Sequence, residues 1–274
     1  MEKLKISFIG AGNMATSLIG GLLADGRAPA TIHVADVDTE RLRELQQRFD
    51  INVSDSNSAA TEAADILVLA VKPQVLKTVA EEIRTSVQQR QPLVISIAAG
   101  VREQSLNRWL GGNLAVVRVM PNTPALIQTG ASALYANDRV TTAQRNAAET
   151  ILRAVGITLW LDDEDKMDAV TALSGSGPAY FFLFMEAMEA AGRDLGLDAD
   201  TARLLILQTA FGATKMALES SEECATLRER VTSPGGTTEQ ALNVFEKGEL
   251  RQLIKEAVSA AAQRSQELAQ QLDN

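Results

Sequence analysis

Along the first 161 residues the chain alternates short apolar runs with longer amphipathic stretches. The runs are KISFIG (5–10), IHVAD (32–36), ILVLAV (66–71), PLVISIA (92–98) and AVVRV (115–119). They are continuous rather than alternating, as in strands buried on both faces of a parallel sheet. Between them the pattern predicts helices over 14–25, 39–49, 58–64, 75–85 and 101–110. Strand and helix in turn imply right-handed crossovers and a doubly wound, mostly parallel sheet. Two later runs, SALYA (132–136) and ITLWL (157–161), flank a helical stretch near 142–154.

Beyond LDDEDK (161–166) the strand pattern disappears, and 168–195, 199–219, 239–247 and 250–272 read as helix. The acidic run therefore marks the expected boundary between an α/β domain, 1–162, and an all-α domain, 163–274. Segment 201–218, TARLLILQTAFGATKMAL, is apolar on nearly every face, and such a helix belongs inside something. A domain this small has little interior. The expected cover is a second subunit; the alternative is a helix central to its own small bundle.

Composition narrows the class of function. The net charge of −9 disfavours nucleic acid or an anionic membrane as a partner. A single cysteine, Cys224, makes neither an intramolecular disulfide nor a multi-cysteine metal site, and fits a reducing compartment. The start, MEKLKISFIG, lacks the pattern of a signal peptide, and the apolar runs are too short to span a bilayer. A soluble cytoplasmic protein that binds no metal is expected.

IGAGNMA places Gly10, Gly12 and Ala15 in the G-x-G-x-x-A spacing, after a strand and at the start of a helix. A second strand ends in Asp36, about twenty residues further, which completes the dinucleotide fingerprint of a Rossmann domain. Gly10 permits the tight turn, Gly12 lets a pyrophosphate approach the backbone, and Ala15 lets helix and strand pack closely. The helix-start N–H groups of 11–14 (Ala11, Gly12, Asn13, Met14) face the phosphate charge. The competing reading is a tight strand–helix turn with no ligand. Asp36 sits where a carboxylate accepts the adenosine ribose hydroxyls and repels a 2′-phosphate, favouring NAD over NADP. Arg41 lies near enough to work the other way, and Asp36 as a plain turn residue is the bland alternative. AVKPQ, with Ala70, Val71, Lys72 and Pro73, and SIAAG, with Ala98 and Ala99, close two further strands on the cofactor side. Lys72 reads equally as a solvated loop charge.

RVTSPGGTTEQAL (230–242) looks like an anion site: Ser233, Pro234, Gly235, Gly236, Thr237 and Thr238 precede a helical pattern that begins at Glu239. Gly235 and Gly236 allow close backbone approach, helix-start N–H groups are unpaired donors, and Ser233 and Thr237 add hydroxyls. The alternative is an ordinary N-cap by Thr237 or Thr238. In LSGSGPAYFF (173–182), small residues before Pro178 predict a break or kink. Close helix–helix contact through Gly175 and Gly177 explains them equally well.

Taken together, GAGNMA (10–15), LAVKPQ (69–74), SIAAGV (96–101), RVMPNTPALIQTGASAL (118–134), DAVTALSGSGPAYFF (168–182) and SPGGTT (233–238) resemble the pyrroline-5-carboxylate reductase family over nearly the whole chain. The resemblance implies hydride transfer from NAD(P)H to the C=N carbon of 1-pyrroline-5-carboxylate, giving L-proline in the last step of proline biosynthesis. It implies a Rossmann domain followed by an all-helical dimerisation domain, with a homodimer unit that extends to higher homo-oligomers such as a decamer. Ser233, Gly235, Gly236, Thr237 and Thr238 then hold the cyclic imino acid. Thr238 polarises its nitrogen or relays a proton backed by water, so no catalytic histidine is needed. Glu164 aligns with a substrate-proximal position and Asn57 with a cofactor contact; a surface acid and a turn residue are the alternatives. Met120 and Pro121 would wall the nicotinamide, with Asn122 near its amide, against the reading of MPNTP (120–124) as a stiff turn.

The chain departs from that pattern at ADVDTER (35–41), where small polar or basic residues are usual in members that favour NADPH, and at Arg230. Two rival readings are a β-hydroxyacid dehydrogenase, for which Lys215 is the candidate acid, and a dinucleotide-binding sensor without catalysis.

Overall fold

The computed structural model describes residues 4–273. Eight strands form one sheet: β1 (Ile6–Ile9), β2 (Ile32–Ala35), β3 (Asn52–Ser54), β4 (Ile66–Leu69), β5 (Leu93–Ser96), β6 (Val116–Met120), β7 (Gly130–Ala136) and β8 (Gly156–Trp160). Their order is β3-β2-β1-β4-β5-β6-β7-β8. β1 to β6 pair in parallel, β7 is antiparallel to β6, and β8 is parallel to β7. Chain order reverses between β1 and β4, which opens a crevice beyond their carboxyl ends.

The continuous apolar runs have their cause in this topology. All four residues of β1, β4 and β5 are buried, because helices cover both faces of the sheet. Ile6, Phe8, Val68, Ile95 and Val117 pack with α1 (Asn13–Ala24), α2 (Thr39–Phe49) and α6 (Thr142–Arg153). Ile9, Leu67, Leu69, Val94 and Val116 pack with α4 (Pro73–Arg90) and α5 (Glu103–Trp109) on the opposite face.

Three features escape the hydrophobic pattern. β3 is short and partly exposed, so it carries no apolar run. Between α3 (Asn57–Glu62) and α7 (Lys166–Val170) the helices otherwise fall close to the expected stretches. The expected helix 168–195, however, is α7, then a π turn at Thr171–Gly175, then α8 (Gly177–Asp194). The Ser176 N–H reaches the Thr171 carbonyl at 2.8 Å, the wide spacing that defines a π turn. After α9 (Ala199–Glu219), α10 (Cys224–Arg230) is a helix the pattern does not predict, since it is short and mostly polar.

Packing divides the chain into a first unit, running to Ser176 and resumed from Ala261, and a second unit, Gly177–Ala260. This differs from the expected boundary after residue 162 because the following residues are tied into the α/β layers. Arg118 on β6 holds Glu164 at 2.6 Å, and Asp168 on α7 accepts a 2.6 Å bond from Ser265 in the last turns of α12 (Leu250–Asp273). The end of α12 also packs on the loop after β5, where Leu272 lies beside Gly100.

The second unit contains α8, α9, α10, α11 (Thr237–Lys247) and the start of α12. In the single chain its large apolar side chains stay exposed: Phe181, Phe182, Leu204 (68%), Leu205, Phe211 (62%), Met216 and Leu218 among them. Burying each such side chain stabilises by about 1.5–3 kcal/mol. A patch of this size marks an association surface, in keeping with the all-round apolarity of α9.

Candidate active site

β1 delivers the chain into the turn at Gly10, whose φ of +104° is open to glycine at little cost. A Cβ there would lie 2.6 Å from the Ala70 carbonyl at the end of β4, so the residue must also be bare. Gly12 differs. It is the N-cap of α1 at φ −70°, no side chain caps the helix, and nothing lies within 4 Å of where its Cβ would stand. Ala15 is fully buried under the turn. The first turn of α1 thus presents uncapped N–H groups to open space, a cradle that fits a pyrophosphate.

Around that cradle the topology gathers the expected cofactor residues at carboxyl ends of parallel strands. Ala11, Asn13 and Met14 follow β1; Asp36 follows β2; Ala70, Val71, Lys72 and Pro73 follow β4; Ala98 and Ala99 follow β5; Met120, Pro121 and Asn122 end β6. Lys72 is exposed, and Pro73 opens α4. The Asp36 carboxylate accepts the Ala11 N–H at 2.6 Å and the Asp38 N–H at 2.9 Å, so it is anchored against the fingerprint loop. Asn57 opens α3, and its amide donates to the Glu82 carboxylate at 3.1 Å.

The MPNTP loop is held by partners that no motif revealed. Asn122 accepts the Ala131 N–H at 2.9 Å and donates to Ser174 within the π turn at 3.2 Å. Gly175 meets the Met120 thioether methyl so closely that a Cβ would collide with it. Ser174 and Gly175 thus lie against Asn122 and Met120, and within the single chain nothing stands within 4 Å of a Cβ at Gly177.

Glu164 is neither a surface acid nor an open one. Its carboxylate pairs with Arg118 at 2.6 Å and accepts the Glu103 N–H at the start of α5, also at 2.6 Å. Burial, then the neighbouring Glu164 and Glu103, push the Tyr135 phenol above its ordinary value.

Within the second unit, Ser233–Thr238 folds as a turn into α11. The Gly236 N–H bonds the Ser233 carbonyl at 3.0 Å, and Gly235 takes φ +73° with open space around its Cβ position. Gly236 is the N-cap, with no side-chain cap bond, and Thr237 and Thr238 are the first two helical residues. The N-cap reading of the two threonines is thus corrected, because the helix starts before Glu239. The Glu239 carboxylate instead reaches back to the Gly235 N–H at 2.8 Å. A carboxylate already sits on a donor of this turn. Arg230 pairs with Glu222 rather than facing the turn unpartnered.

A family model for pyrroline-5-carboxylate reductase dimerisation matches residues 164–268, and one for NADP oxidoreductase, coenzyme F420-dependent, matches residues 5–100. The chain is 53% identical to a pyrroline-5-carboxylate reductase of Pseudomonas aeruginosa, over 99% of each chain. It belongs to the pyrroline-5-carboxylate reductase family. Among solved structures, a pyrroline-5-carboxylate reductase from Coxiella burnetii superposes with a TM-score of 0.93 at 45% identity, covering 97% of this chain and 98% of that one. The Plasmodium falciparum pyrroline carboxylate reductase with NADP bound follows at 0.87 and 30%, covering 98% and 99%.

Membership in the pyrroline-5-carboxylate reductase family removes the β-hydroxyacid dehydrogenase rival. Lys215, its candidate acid, is an exposed residue of α9 that pairs with Glu219 at 3.7 Å. The dimerisation segment of the family contains the exposed apolar helices of the second unit, which identifies what that surface is for.

Proposed function

We infer that this chain is an oxidoreductase that reduces 1-pyrroline-5-carboxylate to L-proline with NAD(P)H, the last step of proline biosynthesis. The observation that carries this is identity of 53% across essentially the entire chain, with both glycine-rich elements intact. The reduced nicotinamide supplies a hydride to the imine carbon. The C=N π pair becomes the lone pair of the ring nitrogen, which ends as a protonated amine. The protein therefore needs a grip on the carboxylate and a partner at the nitrogen more than a strong base.

The uncapped N–H groups at the start of α11 and the Gly235 N–H, with the Ser233 and Thr237 hydroxyls, fit the carboxylate. The Glu239 carboxylate occupies the Gly235 N–H in the free chain, so in this reading the substrate carboxylate takes that donor by displacing it. Thr238, half-buried in the first turn, polarises the nitrogen or relays a proton from water. Glu164 acts in this reading from beside Arg118. On the nucleotide side, Gly10, Ala11, Gly12, Asn13, Met14, Asp36, Asn57, Ala70, Val71, Lys72, Pro73, Ala98, Ala99, Met120, Pro121 and Asn122 form the shelf. The same reading includes a homodimer unit, a decamer built from such units, and a cytoplasmic location. Among the described residues no helix is long and apolar enough to cross a membrane.

Incubation with 1-pyrroline-5-carboxylate is expected to yield L-proline with equimolar oxidation of NADH or NADPH, while hydroxy- and keto-acids give none. Nucleotide binding without turnover of any cyclic imine would instead support a sensor. Thr238→Ala should lower kcat by about 10-fold or more, the scale of one transition-state hydrogen bond, with little change in nucleotide affinity. Unchanged kcat removes Thr238 from the mechanism.

A further inference from the structure

We propose that Gly175 is a positioning residue for hydride transfer, setting through Met120 the wall against which the nicotinamide lies. The proposal rests on the nicotinamide and reductase readings above and adds what fixes that wall in place.

Pro178 has no N–H, so in α-helical spacing the Ser174 carbonyl would lack its partner. The chain instead forms the π turn Thr171–Gly175, a widening that recurs at functional sites. The Asn122 amide donates to the Ser174 carbonyl at 3.3 Å and to its hydroxyl at 3.2 Å. Asn122 also accepts the Ala131 N–H at 2.9 Å, so both ends of its amide are engaged within the fold. It braces the end of β6 and leaves contact with the ring to Met120.

The turn meets β6 at two successive positions on one face. Arg118 and Met120 lie two residues apart on the strand and so point the same way. Arg118 pairs with Glu164 at 2.6 Å ahead of α7, and Gly175 lies against the Met120 thioether methyl after it. Gly175 is not among the glycines with positive φ, so its backbone accepts any residue. Its Cβ position is closed by that one methyl, since Thr171 Cγ2 and the Met120 sulfur stand at 3.8 and 3.9 Å. An unbranched thioether yields readily, so a methyl group at 175 displaces Met120 rather than unfolding the turn. Met120 is half-buried at the carboxyl end of its strand, the side where ligands of a parallel sheet lie. Displaced, it enters the space read as the nicotinamide site.

Calorimetric titration of the intact protein with NAD⁺ and ADP-ribose, and with NADP⁺ and 2′-phospho-ADP-ribose, isolates the nicotinamide's share of binding without turnover. Gly175→Ala is expected to lower the affinity ratio within whichever pair binds at least about threefold, with the nicotinamide-free ligand unaffected. Its kcat should fall about 10-fold or more with little change in KM for the imine, as for a misplaced reacting atom. Met120→Val removes the methyl that a Cβ at 175 would meet. In that background Gly175→Ala should change the ratio and kcat by less than about twofold. Equal losses in both backgrounds, or no loss in either, overturn the proposal. So does a Gly175→Ala protein that does not fold, since Met120 would then not yield. Wild-type protein that binds no nucleotide, or reduces no cyclic imine, overturns the underlying reading itself, an outcome distinct from failure at Gly175.

Discussion

Gly12→Val is expected to weaken NADH and NADPH binding about 100-fold or more while leaving the thermal midpoint where it was. Gly12 has an ordinary φ and open space beside it, so the folded chain accommodates the side chain. The valine then fills the space through which a pyrophosphate reaches the helix-start donors. Losing two charge-assisted hydrogen bonds at about 1.5–3 kcal/mol each accounts for that factor. Gly10→Val should behave differently. Its positive φ and the Ala70 carbonyl at 2.6 Å make it a folding defect, with the thermal midpoint falling together with binding. Titration and thermal melts on the two variants separate a ligand-facing glycine from a structural one. Unchanged affinity in Gly12→Val would place the dinucleotide elsewhere.

The second large effect is expected on assembly. Leu204 and Phe211 lie seven residues apart on α9, hence on one face, and both are mostly exposed in the single chain. The double variant Leu204→Asp, Phe211→Asp would place two carboxylates in an exposed apolar surface within the segment that the dimerisation model matches. Charges left unpaired in a buried interface cost several kcal/mol each, enough to abolish association at micromolar concentrations. Light scattering should report a monomer, and specific activity should fall about 100-fold or more, because the second unit carries the proposed substrate turn and has little core of its own. An active oligomer in the variant would contradict this reading of α9.

The hydrophobic pattern carried most of the architecture because buried parallel strands and all-round apolar helices leave strong one-dimensional signals. β3 and α10 were invisible for the opposite reason: short, half-exposed elements are stabilised by neighbours rather than by their own sequence. The fingerprint was legible as Gly10, Gly12 and Asp36, since each of those residue types answers a local backbone or charge requirement. The contacts that hold the shelf were not. Asn122 with Ser174, Met120 with Gly175, and Arg118 with Glu164 join residues far apart in sequence, and spacing encodes none of them. Packing carries the first unit past the acidic run for the same reason, as Asp168 is bound to Ser265 across nearly a hundred intervening positions. Glu239 could have been found: an acid three residues after the glycine N-cap of a helix is a recognisable reach-back signal.

In the proposed mechanism, backbone amides of the turn into α11 hold the carboxylate of a cyclic imino acid while its C=N bond is reduced. Comparing kcat/KM for 1-pyrroline-5-carboxylate with that for 1-pyrroline, the same ring without the carboxylate, tests it most directly. A preference of about 100-fold or more for the carboxylate-bearing ring is expected, the value of two charge-assisted hydrogen bonds. Equal kcat/KM for the two imines would contradict it.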